Sequence, residues 1–214
     1  MGKKRTKELG VFQRGNLQIR YHSLCKNLDK YRTEQELHEA RKSVLAFVTG
    51  LRFSALLIYE MRTILKNTNL AVNWGTIIDD RGDKCSAECD IIVHKNGSEF
   101  AWNGEIDVGG SVMDFHFVNK QNVKLIVSCK GFEVSQIDQN MKNDIIKLGD
   151  WVENVWLFVE YSKATQLRDL YKDAKDAGYK KFYYLYSKRE DGGLVYDESL
   201  WCEFARFLRE LAAE

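Results

Sequence analysis

The chain contains no proline in its 214 residues. Helices and strands must therefore end on glycine, side-chain caps or changes of hydrophobic period, and proline-rich linkers are excluded. Long apolar runs are missing as well. The most apolar stretch, Val44 to Tyr59, is broken by Thr49, Gly50 and Arg52, whereas a spanning helix needs about 20 nearly uninterrupted apolar residues. No membrane role is expected. Five cysteines at irregular spacing give no disulfide framework, and no apolar region of signal-peptide type follows Met1. The expectation is a cytoplasmic protein with reduced thiols. A phosphate-binding loop is also lacking. Asp107-Val-Gly-Gly110 has no Gly-Lys-Ser/Thr ending, so no nucleotide cofactor is expected.

Charge of one sign is scarce overall but unevenly spread. The net charge is +1, yet residues 1–32 hold nine basic side chains against Glu8 and Asp29. That segment carries +7, which leaves −6 on the other 182 residues. Lys3, Lys4, Arg5, Lys7, Arg14 and Arg20 are the candidate phosphate contacts of a basic arm over 1–32, ahead of a single domain over 33–214. Such an arm suits a polyanion partner, with an ordinary solvated terminus as the plainer alternative.

Periodicity supplies the elements. Thr33 and Glu36 form a capping box, and apolar residues then recur at helical spacing from Leu37 to Ile64. Strands follow at Trp74–Asp79 and Glu88–His94, with a turn at Asp80-Arg-Gly-Asp83 between them. An excursion containing Gly104, Gly109 and Gly110 leads to a third strand, Val123–Lys130. A helix over 135–148, a strand over 154–161, a helix over 164–177, a strand over 181–186 and a last helix over 199–211 complete the order α-β-β-β-α-β-α-β-α. Continuous apolar strands such as Val155-Trp-Leu-Phe-Val159 require cover on both faces. The fold class is α/β, with a mixed central sheet flanked by helices.

Three residues break the apolar rule within these elements. Asp90 stands inside Cys89-Asp-Ile-Ile-Val93, where a charge is costly without a partner. Lys130 ends Leu125-Ile-Val-Ser-Cys-Lys130, and strand alternation puts Ser128 beside it on one face. Glu60 lies on the first helix among Leu56, Leu57 and Ile64. Cys85, Cys89 and His94 have only weak zinc spacing, without a second well-placed pair.

An acidic residue on the second strand of an α-β-β-β-α-β core, followed by a third strand whose end takes the place of an acidic-x-Lys motif, resembles the PD-(D/E)XK superfamily. This is the fold of type II restriction endonucleases, resolvases and phage exonucleases. The resemblance covers roughly 50–161. The stretch from Arg62-Thr-Ile-Leu through Trp74-Gly-Thr-Ile-Ile-Asp79 to Cys89-Asp-Ile-Ile is also similar to a group of bacterial nuclease-like proteins.

The resemblance implies a Mg2+- or Mn2+-dependent DNA endonuclease, acting in defence against foreign DNA, with a homodimer for a palindromic target. Asp90 and Lys130 would be catalytic, and Glu60 would match an extra helix glutamate that many members use at the metal. Ser128 occupies the position of the second acid. A hydroxyl does not replace a carboxylate at a hard cation. Some restriction enzymes with Ser-x-Lys carry the acid on the following helix, thirteen or fourteen positions after the lysine, which here reaches Asn143 and Asp144 and makes Asp144 the candidate. Glu105, Asp107 and Asp114 are weaker substitutes. The implied metal set is Asp90, Asp144 and Glu60. A catalytically silent nuclease fold that binds nucleic acid or protein is the alternative.

Overall fold

The computed structural model describes residues 52–97, 99–108, 111–148 and 154–214, with only the backbone described over 99–108 and 111–115 and at 132 and 147. The basic arm and the Thr33–Glu36 capping box lie outside the described residues. Within them, α1 runs over 52–64, followed by β1 (Leu70–Ile78), β2 (Cys89–Lys95), β3 (Glu99–Val108), β4 (Ser111–Asn119) and β5 (Val123–Glu133). Then come α2 (Gln139–Leu148), β6 (Val155–Lys163), α3 (Leu167–Asp176), β7 (Lys181–Lys188), β8 (Leu194–Tyr196) and α4 (Glu198–Ala213).

The strands form one eight-stranded sheet in the order β3-β4-β1-β2-β5-β6-β7-β8. It is mixed. β1 pairs β2, and β2 pairs β5, antiparallel, whereas β5-β6-β7 and β1-β4 are parallel. The α/β class is as expected from the buried strands. Alternation sorts their side chains into two layers. Ile91, Val93, Val127, Trp156, Phe158 and Tyr183 face α1 and α4, where Phe53, Leu57, Met61, Phe204 and Leu208 close the core. Ile92, Ile126, Val155, Leu157 and Phe182 face the opposite way, against Met141 and Ile145 of α2 and Leu170 and Ala174 of α3.

Two expectations need correction. The glycine-containing excursion is a pair of antiparallel strands, β3 and β4, and β4 also joins the sheet beside β1. Glycine weakens strand propensity without forbidding a strand, so sheet pairing overrides the local signal. The helix before β6 starts at Gln139, four residues later than the period suggests. Asp138 caps it, its Oδ1 accepting from the Met141 N–H at 2.8 Å.

Gly75 shows how closely β1 and β4 approach. A Cβ built there would lie 1.9 Å from the His116 carbonyl oxygen on the paired strand. Gly75→Ala must therefore push two paired strands apart. We expect a loss of about 1–3 kcal/mol, read as a lower urea midpoint at unchanged m-value.

Candidate active site

Asp90 and the β5 residues meet where β2 pairs β5, with Ile91 opposite Val127 and Ile92 opposite Ile126. The Asp90 carboxylate reaches across this pair, and its Oδ2 accepts the main-chain N–H of Cys129 at 2.7 Å. One strand thus carries the acid and the next strand holds it. Ser128 and Lys130 flank Cys129. They share a face with Ile126, while the Cys129 side chain is buried in the opposite layer.

A cleft of about 160 Å³ opens on the α2–α3 side of the sheet. Asp90, Ser128, Lys130 and Asp144 all line it, together with Glu88 and Tyr179, and its apolar wall includes Ile126, Ile145 and Val155. Four of the five expected catalytic residues therefore surround one space, although they come from β2, β5 and α2.

Glu60 does not join them. It is carried by α1, which packs on the other face of the sheet, and its charge is felt by the Tyr196 phenol on β8. Helical spacing predicts that Glu60 leaves an apolar face, but it does not tell which side of the sheet that face covers. Glu105, Asp107 and Asp114 belong to β3 and β4, where only the backbone is described.

The sequence reasoning missed Glu88 and Tyr179. Glu88 stands two residues before Asp90, and that period-2 spacing is itself a signal of a shared side. Its Oε1 accepts the Trp74 indole N–H at 2.6 Å. Tyr179 had no such signal, because it follows α3 and reaches the cleft only through the tertiary fold.

The electrostatics centre on Asp90. Burial pushes its carboxyl above the usual carboxylate range. The Cys129 N–H and the Lys130 ammonium pull in the other direction, while the charges of Glu88 and Asp144 push it further up. Three carboxylates and one ammonium around a small cleft make a locally negative site, which a cation would relieve.

The donor chemistry fits a hard divalent ion. Among the described residues no three His, Cys, Asp or Glu side chains converge as a ready-made cage. Mg2+ needs no such cage, since it commonly uses one or two carboxylates and completes its shell with water and phosphate oxygen. Asp90 and Asp144 would hold it here.

No protein-family model matches the chain, and no curated protein matches it in sequence. Solved structures do match in fold. The apo form of NucC from E. coli MS115-1 aligns at 10% identity and a TM-score of 0.49, covering 83% of this chain and 92% of that one. The cAAA-bound NucC of P. aeruginosa ATCC27853 aligns at 8% identity and a TM-score of 0.45, covering 95% and 90%. The fold resembles that of NucC.

The raised Asp90 carboxyl gives a stability prediction with a definite sign. A raised folded-state value means that the native protein binds more protons than the unfolded chain between the two values, so stability falls as pH rises through that window. Asp90→Asn removes this cost and keeps an oxygen for the Cys129 N–H. The variant is expected to melt higher than the parent at pH 8, with the gap narrowing as pH falls toward 4. A lower melting temperature at pH 8 would contradict it.

Proposed function

We propose that the chain is a metal-dependent DNA endonuclease that hydrolyses phosphodiester bonds. The observation that carries this reading is the convergence of Asp90, Ser128, Lys130 and Asp144 on one cleft. These residues are 54 positions apart at the extremes, and the sequence resemblance assigns them to this chemistry. Asp90 and Asp144 would hold the ion, with the main-chain N–H of Cys129 orienting Asp90. An Mg2+ ion held there would supply Lewis-acid polarisation of a scissile phosphate and a bound water of lowered pKa. Lys130 sets a fixed positive charge in the same cleft, where phosphoryl oxygens gain negative charge in the transition state. The apolar wall limits water around the reacting centre and strengthens that interaction.

DNA as substrate and a role in defence against foreign DNA rest on the resemblance to restriction enzymes. The arm over 1–32 supports a polyanionic substrate through its charge of +7. Glu60 has no part at the ion in this reading, because α1 lies across the sheet from the cleft. No helix among the described residues is long and apolar enough to cross a membrane.

A second reading, a silent nuclease fold that only binds, is favoured by Ser128 standing at the acid position. The discriminating assay is plasmid and phage DNA incubated with the purified protein. Cleavage is expected with Mg2+ or Mn2+ and none in EDTA. Tight DNA binding with no cleavage under any metal would select the silent module.

Within the nuclease reading, Asp144→Asn, Asp90→Asn and Lys130→Ala should each lower the cleavage rate by at least about 100-fold, or about 2.7 kcal/mol of transition-state stabilisation. Near-normal rates for Asp144→Asn would move the second carboxylate to Glu88, Glu105, Asp107 or Asp114. Deletion of 1–32 should flatten the dependence of log K on log salt by roughly 0.9 for each phosphate that the arm neutralises. An unchanged slope would make the arm ordinary solvated surface.

A further inference from the structure

The residue at the missing acid position shares its cleft with the helix that carries the candidate replacement. Ser128 on β5 and Tyr179 line the same cleft, where the serine hydroxyl acts on the Tyr179 phenol and holds it back from the full rise that burial would cause. The Tyr179 hydroxyl in turn donates to the main-chain oxygen of Met141 on α2, at 3.3 Å. Tyr179 is only 3% exposed, and it lines the same cleft as Asp90 and Asp144. Its approach to α2 is built into the preceding turn. Gly178 takes φ +104°, and a Cβ there would lie 2.9 Å from Ile145 Cγ2 on α2. Only glycine permits both that backbone and that closeness.

Helix α2 needs such a tie. It has ten residues, a length at which an isolated helix is marginal in water. Met141 and Ile145 are its deeply buried apolar anchors, while Ile146 is 69% exposed. A rotation of roughly 20° about its axis would carry a side-chain tip at about 5 Å radius through about 2 Å. A displacement of about 1 Å at a catalytic group is enough to lose on the order of 100-fold in rate.

We infer that the chain Ser128–Tyr179–Met141 is a hydrogen-bonded strut that fixes α2, and with it the Asp144 carboxylate, relative to Asp90. Tyr179 is a positioning residue, and Ser128 serves at the acid position by holding the helix that supplies the acid. The inference rests on the reading of Asp90 and Asp144 as the metal carboxylates.

The test uses full-length Tyr179→Phe, Ser128→Ala, the double variant and Ser128→Thr. Two readouts are taken without DNA: amide hydrogen exchange across Gln139–Leu148 in the metal-free protein, and Mn2+ binding followed by the free-ion EPR signal. Tyr179→Phe and Ser128→Ala should each speed exchange in α2 by roughly three- to tenfold, the worth of one hydrogen bond. Each should weaken Mn2+ binding about tenfold, the double variant should be little worse than either single one, and Ser128→Thr should restore the parent values.

Unchanged α2 exchange in both single variants would overturn the strut. Faster exchange with parental Mn2+ affinity would overturn it too, since the strut would then hold a helix without placing a carboxylate. Because Ser128→Ala cuts the chain from the strand side, poor folding of Tyr179→Phe would not spare the inference. A parent protein that binds no Mn2+ and cuts no DNA would instead bring down the nuclease reading, a result distinct from a fully active parent with unaffected variants.

Discussion

The site depends on one hydrogen bond between neighbouring strands, from the Cys129 N–H to the Asp90 carboxylate at 2.7 Å. A carboxylate carried on a strand among Ile91, Ile92 and Val93 is poorly solvated, and burial shifts it toward its neutral form. The main-chain donor offsets part of that cost and fixes the oxygen's direction. It also sets the register of chemistry across the sheet, because Cys129 is flanked by Ser128 and Lys130 on the cleft side. The acid, the lysine and the serine are thereby placed by backbone geometry before any loop or helix contributes.

The second half of the site is assembled by packing. α2 is laid on the sheet by Met141 and Ile145 against Ile126 and Val155, and its start is fixed by the Asp138 cap. Asp144 follows from that placement, as does Tyr179 from the turn that closes α3 against α2. The opposite layer is independent of this chemistry. There Trp156, Phe158, Tyr183 and Phe204 form an aromatic cluster with ring centroids 5.0–5.9 Å apart under α1 and α4. It supplies rigidity behind strands whose other face carries the polar residues.

Much of this was legible in the sequence, for identifiable reasons. Asp90 and Lys130 are anomalies against apolar runs, and a period of two assigns Ser128 and Lys130 to one face without any structure. Asp144 came from spacing within a resemblance, and the fold puts it in the same cleft. Other features were hidden because they depend on layers. Helical period cannot say which face of the sheet α1 covers, so Glu60 was expected at the cleft and lies across the sheet. Gly104, Gly109 and Gly110 masked the strand pair β3–β4, whose pairing with β1 joins segments far apart in the chain. Tyr179 lies 49 positions after Lys130, with nothing local to mark it.

The central claim is that Asp90 and Asp144 address one cation beside Lys130. A crystal structure of the protein grown with Mn2+, with anomalous scattering recorded at the manganese edge, tests this most directly. The account predicts a manganese peak in the cleft with one carboxylate oxygen of Asp90 and one of Asp144 each at about 2.1–2.2 Å, on the α2 side of the sheet. A peak bound without Asp144, or a cleft with no manganese at saturating concentration, would contradict it.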